Sequence, residues 1–308
     1  MEKTHLYAAS ALDRAAHLRG EAAWIAARLA HPKTRFLPVW RNRSLVLETD
    51  PPRAARFLPE SLVQALLTRP DGTAAPLAFL GLFEEGAHFA LDISHLDEPA
   101  PLAEKIGARF DDLRGLGPLL SPDDAGLLAY ARGLLYWHRQ HGHCGVCGAR
   151  TESAEAGHMR RCTAEACGTE HFPRTDPAVI TLVTSGKVCL LGRQKSWPEG
   201  MYSTLAGFVE PGESLEDTVV REVFEETGIH VTDVRYQSSQ PWPFPASLMI
   251  GFRAQAAAGQ TIAPMVDELE DVRWFSREEL TDRKESGLRL PYRGAISRRL
   301  IEDWMETA

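Results

Sequence analysis

Residues 207–229 read GFVEPGESLEDTVVREVFEETGI, and this stretch decides the fold. The pattern is a loop that turns into a helix. Pro211 and Gly212 punctuate the loop, and Gly228 supplies a stop. Leu215, Val219 and Val223 recur every four residues and form the buried stripe of a short amphipathic helix. Glu222, Glu225 and Glu226, spaced i, i+3, i+4, stand together on another face. Like charges at that spacing destabilise a helix by roughly 0.2–0.5 kcal/mol per pair, so the cluster implies a counter-charge. Hard divalent cations such as Mg2+ or Mn2+ prefer carboxylate and carbonyl oxygen, and Mg2+ completes its shell with water and substrate phosphate. For three glutamates alone, a solvated acidic face is the competing reading.

The wider spacing separates the two. Gly207, five residues, Glu213, seven residues, then Arg221-Glu222-apolar-x-Glu225-Glu226-x-Gly228-apolar matches every defined position of one signature, and the chain resembles the Nudix hydrolase superfamily. The resemblance implies an α+β fold containing an α/β/α sandwich with a mixed sheet. It also implies a divalent metal on the helix and hydrolysis of a diphosphate linked to another moiety.

At 308 residues and 44% hydrophobic content the chain can build at least two cores. Its formal charge of -8 argues against a generic polyanion binder, while leaving room for a local basic patch. No run approaches the roughly 18 apolar residues of a membrane span, and the first twenty residues lack the apolar core of a secretory signal. The expected compartment is the cytoplasm.

Residues 1–120 read as a mixed α/β domain without a chemical motif, with strands near Thr34–Val39, Ser44–Leu47, Leu77–Leu82 and His88–Ile93. Ala100–Leu113 reads as helical or irregular. Residues 121–173 form a linking helix and a metal ribbon. Ser121-Pro122-Asp123-Asp124 starts that helix with a hydroxyl cap, a proline in the first turn and acids against the dipole. Arg132, His138, Arg139 and His141 on it read as solvated. Cys144, Cys147, Cys162 and Cys167 then follow as CGVC, fourteen residues, CTAEAC, a pairing suited to tetrahedral structural Zn2+. Nearby Arg150, Arg160 and Arg161 read as a solvated surface rather than a nucleic-acid contact. Cys189, alone in an apolar run, reads as a buried free thiol. Residues 174–308 alternate strands around the signature helix and end in an amphipathic helix at Ala295–Met305.

Ser239–Ser247 reads SQPWPFPAS. Pro241, Pro243 and Pro245 remove backbone donors, so the segment cannot be an interior strand. Read as a stiff rail, it presents the π faces of Trp242 and Phe244 and the amide of Gln240 to a flat ring. A proline-rich linker, or an exposed ligand for a partner's groove, is the bland alternative. Following a Nudix signature and a four-cysteine ribbon, the string is similar to that of the NADH pyrophosphatase subfamily, over roughly residues 125–308.

That resemblance implies cleavage of NADH or NAD+ to nicotinamide mononucleotide and AMP, removal of NAD caps from RNA 5′ ends, and homodimers. By the same resemblance Glu222 and Glu226 match metal-ligand positions with Glu225 beside them, Ala206 offers a backbone carbonyl, and Glu268 is a further metal glutamate. Glu225 and Glu268 are the candidates for general base in that catalytic set. Phe208, Gln240, Pro241, Trp242, Pro243, Phe244, Pro245, Ala246 and Ser247 match dinucleotide contacts. Phe172 stands where the family has a tyrosine, Ser297 where it has an alanine, and Arg114 aligns loosely with a substrate-contacting arginine. The four-residue gap between Cys162 and Cys167 departs from the usual two. A noncatalytic nucleotide sensor with a nucleic-acid-binding ribbon is the alternative, and the complete glutamate set argues against it.

Overall fold

The computed structural model describes residues 5–8, 11–56, 58–84, 86–283 and 287–307. Its first sheet contains β1 (Arg35–Trp40), β2 (Arg43–Leu47), β3 (Arg53–Ala54), β4 (Leu77–Phe83), β5 (Gly86–Asp92) and β6 (Ala108–Asp112). Their order is β3-β2-β1-β5-β4, with β6 paired to β2. Helices α1 (Ala22–Leu29), α2 (Glu60–Leu67), α3 (Ala100–Glu104) and α4 (Leu113–Leu116) accompany it. The sequence reading of 100–113 needs correction. Helix α3 stops at Glu104, Gly107 turns the chain with φ 62°, and β6 then pairs antiparallel with β2. Glycine takes that φ without the strain that a β-carbon brings.

The long helix α5 (Pro122–Gln140) begins as expected, with the Asp124 amide donating to Ser121 Oγ at 3.1 Å. Its Leu127, Leu128, Ala131, Leu134 and Leu135 are buried against Leu37, Val39, Leu80 and Ala90 of the first sheet. The ribbon follows as β7 (Thr151–Ala154), β8 (Met159–Cys162) and β9 (Glu170–His171) in one small sheet. His158 Nε2 donates to the Phe79 carbonyl at 2.6 Å, and His138 Nε2 to the Gly157 carbonyl at 2.7 Å. Burial pushes both imidazoles down to about 4, so both are neutral donors at pH 7. Arg160 donates to the carbonyls of His141 and Thr151. Thus His138 and Arg160, expected in solvent, are joinery between helix and ribbon. Their partners lie within the ribbon fold itself, which helix periodicity does not report.

The second sheet contains β10 (Asp176–Ser185), β11 (Val188–Arg193), β12 (Leu205–Phe208), β13 (Val231–Trp242), β14 (Ser247–Ala256) and β15 (Asp271–Ser276), in the order β13-β14-β10-β11-β15 with β12 on β10. Helix α6 (Leu215–Thr227) covers one face, and α7 (Arg277–Thr281) with α8 (Ile296–Glu306) the other. This is the α/β/α sandwich the signature implied. Cys189 is fully buried in it, and burial raises its thiol to about 12.

The two large sheets share one plan. In each a central parallel pair, β1 with β5 and β10 with β14, is flanked by antiparallel β2 and β4 or by β11 and β13. Helix α2 holds in the first the chain position that α6 holds in the second, but its sequence ESLVQALL carries a single glutamate. The first unit has the frame without the acid cluster.

Candidate active site

Helix α6 is fixed at both ends by local chemistry. Ser214 and Asp217 form a reciprocal capping box, and Gly228 closes the helix at φ 72°. Val219 and Val223 are buried against Val179, Val183, Leu190 and Leu205, at roughly 1.5–3 kcal/mol per side chain. That anchoring turns Glu222 and Glu226 toward β12.

Arg221 ties the preceding loop to the helix. Its Nη2 donates to the Phe208 carbonyl and to Glu213 Oε2, each at 2.9 Å. Its Nη1 lies 3.0 Å from Glu222 Oε1 and 3.2 Å from Glu225 Oε2. The Arg221 hydrogen bonds, with the Glu210 amide and the Thr218 hydroxyl, hold the Glu213 carboxyl down to about 2. The glutamate of the signature loop is therefore an anchor. Opposite the helix, Gly207 leaves a hollow that the Glu222 carboxylate fills.

Glu226 is only 3% exposed, and its Oε2 is buried without a hydrogen-bond partner. Burial, then the charges of Glu268 and Glu222, push its pKa up to about 8, against a backbone hydrogen bond from Ala206. Burial also raises Glu222. Glu268 lies on the exposed turn before β15, yet its charge raises both neighbours. These three acids share one field with too little positive charge, while Glu225 is half exposed and held by Arg221. Their oxygens form a looser set than the cysteines.

Among the described residues, only Cys144, Cys147, Cys162 and Cys167 bring their ligand atoms within 4.8 Å of one another. The Cys144–Cys167 and Cys147–Cys162 sulfurs are 3.8 and 3.4 Å apart. Four thiolates at about 2.3 Å from a tetrahedral zinc would be about 3.8 Å apart, so the ribbon fits that ion.

Three families match the chain: the NUDIX domain over residues 174–295, the NADH pyrophosphatase-like rudimentary NUDIX domain over 33–137, and the NADH pyrophosphatase zinc ribbon domain over 139–172. The NAD-capped RNA hydrolase NUDT12 of Homo sapiens is 35% identical over 347 residues, covering 99% of this chain and 74% of the relative. The NAD-capped RNA hydrolase NudC of Stutzerimonas stutzeri (strain A1501) is 40% identical over 260 residues, covering 82% and 91%. The chain belongs to the NADH pyrophosphatase family of Nudix hydrolases.

The repeated sheet plan is thus a Nudix unit followed by a second, and the acid set belongs to the second alone. In this Nudix hydrolase the orphaned Glu226 oxygen, the raised carboxyls of Glu222 and Glu226, and the Gly207 hollow that seats the Glu222 carboxylate all suit a divalent cation. Ala206 lies in β12 beside them.

The proline segment departs from its sequence reading. Gln240 through Trp242 continue β13 as an edge strand paired with β14, and Ser247 opens β14. An edge tolerates Pro241, so the exclusion of an interior strand holds. Gln240 is fully buried, and its amide serves this chain: Nε2 donates to the Leu6 and Gly294 carbonyls, and Oε1 accepts from the Ile296 amide. Trp242 stacks on Tyr292 at 6.0 Å and meets Tyr7 edge-on, while Phe244 has Arg114 and Arg132 guanidiniums each 4.9 Å from its ring. Those faces point into the first unit's core. Arg132 and Arg139, expected in solvent, bond Pro243 and Asp92 instead. Pro243, Pro245 and Ala246 form the turn, and the Ala246 carbonyl accepts from Asp176. Among the large exposed aromatics, Phe208 (59%) lies beside the glutamates, Phe172 (63%) at the end of the ribbon, and Tyr236 (59%) on β13. Ser297 is buried in the first turn of α8. Sequence reasoning missed Tyr7, Tyr292 and Arg132 as partners of the segment, because each meets it from more than 45 residues away.

Proposed function

We propose that this chain hydrolyses the diphosphate of NADH or NAD+, releasing nicotinamide mononucleotide and AMP, and that it removes NAD caps from RNA 5′ ends. The carrying observation is the buried, under-neutralised Glu226, with half-buried Glu222 and exposed Glu268 bearing on it, beside exposed Phe208. Similarity to relatives named NAD-capped RNA hydrolases supports the substrate.

In this reading Glu222, Glu226, Glu268 and the Ala206 carbonyl hold Mg2+ or Mn2+. When bound, such an ion neutralises the diphosphate and lowers the pKa of water. The chain's own contribution is placement. Arg221 fixes the loop and orients Glu222 and Glu225. Glu225 and Glu268, the two acids with exposure, are the candidates to take the proton from the attacking water. Phe208 offers its ring to a base, and residues 240–247 shape the wall behind it. Exposed Phe172 offers a second ring, and the chain works as a homodimer. The cysteines hold Zn2+ as a structural ion. No helix among the described residues is long and apolar enough to cross a membrane, and the cytoplasm is the compartment of this reading.

The test is to incubate zinc-replete protein with NADH, NAD+ or ADP-ribose, with and without Mg2+ or Mn2+, and to separate the products. Metal-dependent AMP and reduced nicotinamide mononucleotide from NADH are expected. Cleavage of ADP-ribose alone would sink the substrate assignment.

A further inference from the structure

A cleft of about 760 Å³ opens between α5, residues 173–175 and the wall made by residues 241–243 and 246–248. None of the glutamates of the active site lines it, and among the described residues no Asp or Glu does. Arg14, Arg19 and Arg174 do, together with Tyr7, Tyr130 and Trp242. The volume is that of a small-molecule or nucleotide pocket.

Two of the arginines are available to a ligand. The Arg14 guanidinium lies 4.0 Å over the Tyr130 ring, and Arg19 Nη2 reaches the Tyr130 hydroxyl at 3.5 Å. Arg19 Nε is buried without a hydrogen-bond partner. Among the described residues neither Arg14 nor Arg19 forms an ion pair, whereas Arg174 at the rim is paired with Asp176. The charges that bear on His158, which also lines the cleft, are those of Arg19, Arg14 and His138, with no carboxylate among them. Gly126, Ala129 and Gly133 give α5 a small face here and leave the space beside Tyr130 open.

Arginine for phosphate and an arginine–tyrosine stack for a base, in a lining whose described residues include no acid, are the chemistry of a nucleotide site. The shared wall argues for a polymer over a free nucleotide. Trp242, Pro243, Ala246 and Ser247 line the cleft and belong to the segment assigned above to the dinucleotide, so a strand leaving a capped end can continue into it. The ribbon offers less. Arg160 is committed to carbonyls and Arg161 to Glu170, which leaves Arg150.

We propose that this cleft holds a nucleotide of the single-stranded RNA that follows an NAD cap, with phosphate on Arg19 and the base stacked on the Arg14–Tyr130 pair. The proposal rests on the capped-RNA reading above. Its test measures binding of a short fluorescent 5′-hydroxyl oligoribonucleotide by anisotropy, and NADH hydrolysis in parallel, for the full chain and for Arg14→Ala, Arg19→Ala and Arg150→Ala. The Arg14 and Arg19 variants should each weaken the oligonucleotide by about tenfold, and Arg19→Ala should also flatten its salt slope by about 1, with NADH kinetics unchanged in both. Their KM for NAD-capped RNA should rise in step. Unchanged oligonucleotide affinity in both variants overturns the proposal, as does a loss confined to Arg150→Ala. If AMP competes as tightly as the oligonucleotide itself, the cleft is a free-mononucleotide site and the RNA assignment fails. Absence of NADH cleavage in the parent protein strikes the enzymatic reading instead, and leaves the binding result to be read separately.

Discussion

A β-carbon placed on Gly207 would lie 1.8 Å from the carboxyl carbon of Glu222. The signature glycine thus keeps open the space in which the Glu222 carboxylate rests. Gly207 is also held in register by β12, opposite Val179, so the strand cannot easily retreat.

Gly207→Ala should therefore displace Glu222 rather than the strand. Overpacking of this kind costs about 1–3 kcal/mol, which a chain of this size survives. We expect a folded protein with NADH hydrolysis reduced more than about a hundredfold, because shifts in a metal site's supporting shell alone cost 10- to 100-fold. A thermal melt beside the rate assay checks both halves. Near-parental turnover would show that Glu222 need not occupy that hollow.

Glu226→Gln removes one charge from an overcrowded, buried set while keeping the side chain's shape. Metal-free variant should melt no lower than metal-free parent, since burial and two neighbouring acids disfavour the charged form of Glu226. Hydrolysis should fall by more than about a hundredfold. Loss of activity together with a lowered melting temperature would point to damage to the fold in place of a lost ligand.

Helix α6, its glutamates and the four cysteines were legible because their signals are local. A four-residue apolar period, a capping serine and paired cysteine spacings need no knowledge of the partner. The strand β6 was not legible, since it depends on the Gly107 turn and on β2, more than 60 residues earlier. Gln240 looked like a free amide beside prolines because two of its acceptors, Leu6 and Gly294, lie at opposite ends of the chain. The proline rule correctly excluded an interior strand. It could not say that Tyr7, Tyr292, Arg114 and Arg132 would cover the aromatic faces.

Acid should weaken the joints of the first unit. His88, His138 and His158 are held at about 4, each chiefly by burial, against about 6.5 when unfolded. Between those values the unfolded chain binds more protons. The stability is therefore fully present above pH 6.5 and is lost as pH falls toward 4. His158→Gln keeps a donor for the Phe79 carbonyl but does not titrate. Its stability should fall less steeply than the parent's across that window, by up to roughly 1.4 kcal/mol per pH unit. Parallel denaturation curves for parent and variant would remove His158 from the account, and the comparison cancels the acid sensitivity of the zinc thiolates.

Chelation should unmake the ribbon selectively. A zinc held by four thiolates contributes about 10–16 kcal/mol in zinc-finger peptides, so release should be slow and should lower the melting temperature. Of the five cysteines, Cys144, Cys147, Cys162 and Cys167 should become reactive to a thiol reagent, while Cys189 stays silent until the second sheet unfolds. Four thiols already reactive in the untreated, zinc-replete protein would contradict the structural site.

Arg132 is the first unit's hold on the proline segment. Its Nε donates to the Pro243 carbonyl at 2.7 Å, its Nη1 donates to the Asn42 carbonyl, and its guanidinium lies over Phe244. Arg132→Ala leaves two part-buried carbonyls without this donor, at about 1–3 kcal/mol each, and frees one face of Phe244. Lysine cannot replace the fork, because its ammonium is a single point charge. Arg132 bonds none of the active-site glutamates, so the chemistry there should survive. We expect KM for NADH to rise several-fold with kcat nearly kept, and ADP-ribose, which lacks the nicotinamide, to be affected less. Lys in place of Arg should restore little of the difference. An equal loss in kcat for both substrates would mean that Arg132 supports the fold as a whole and does not set the position of the segment.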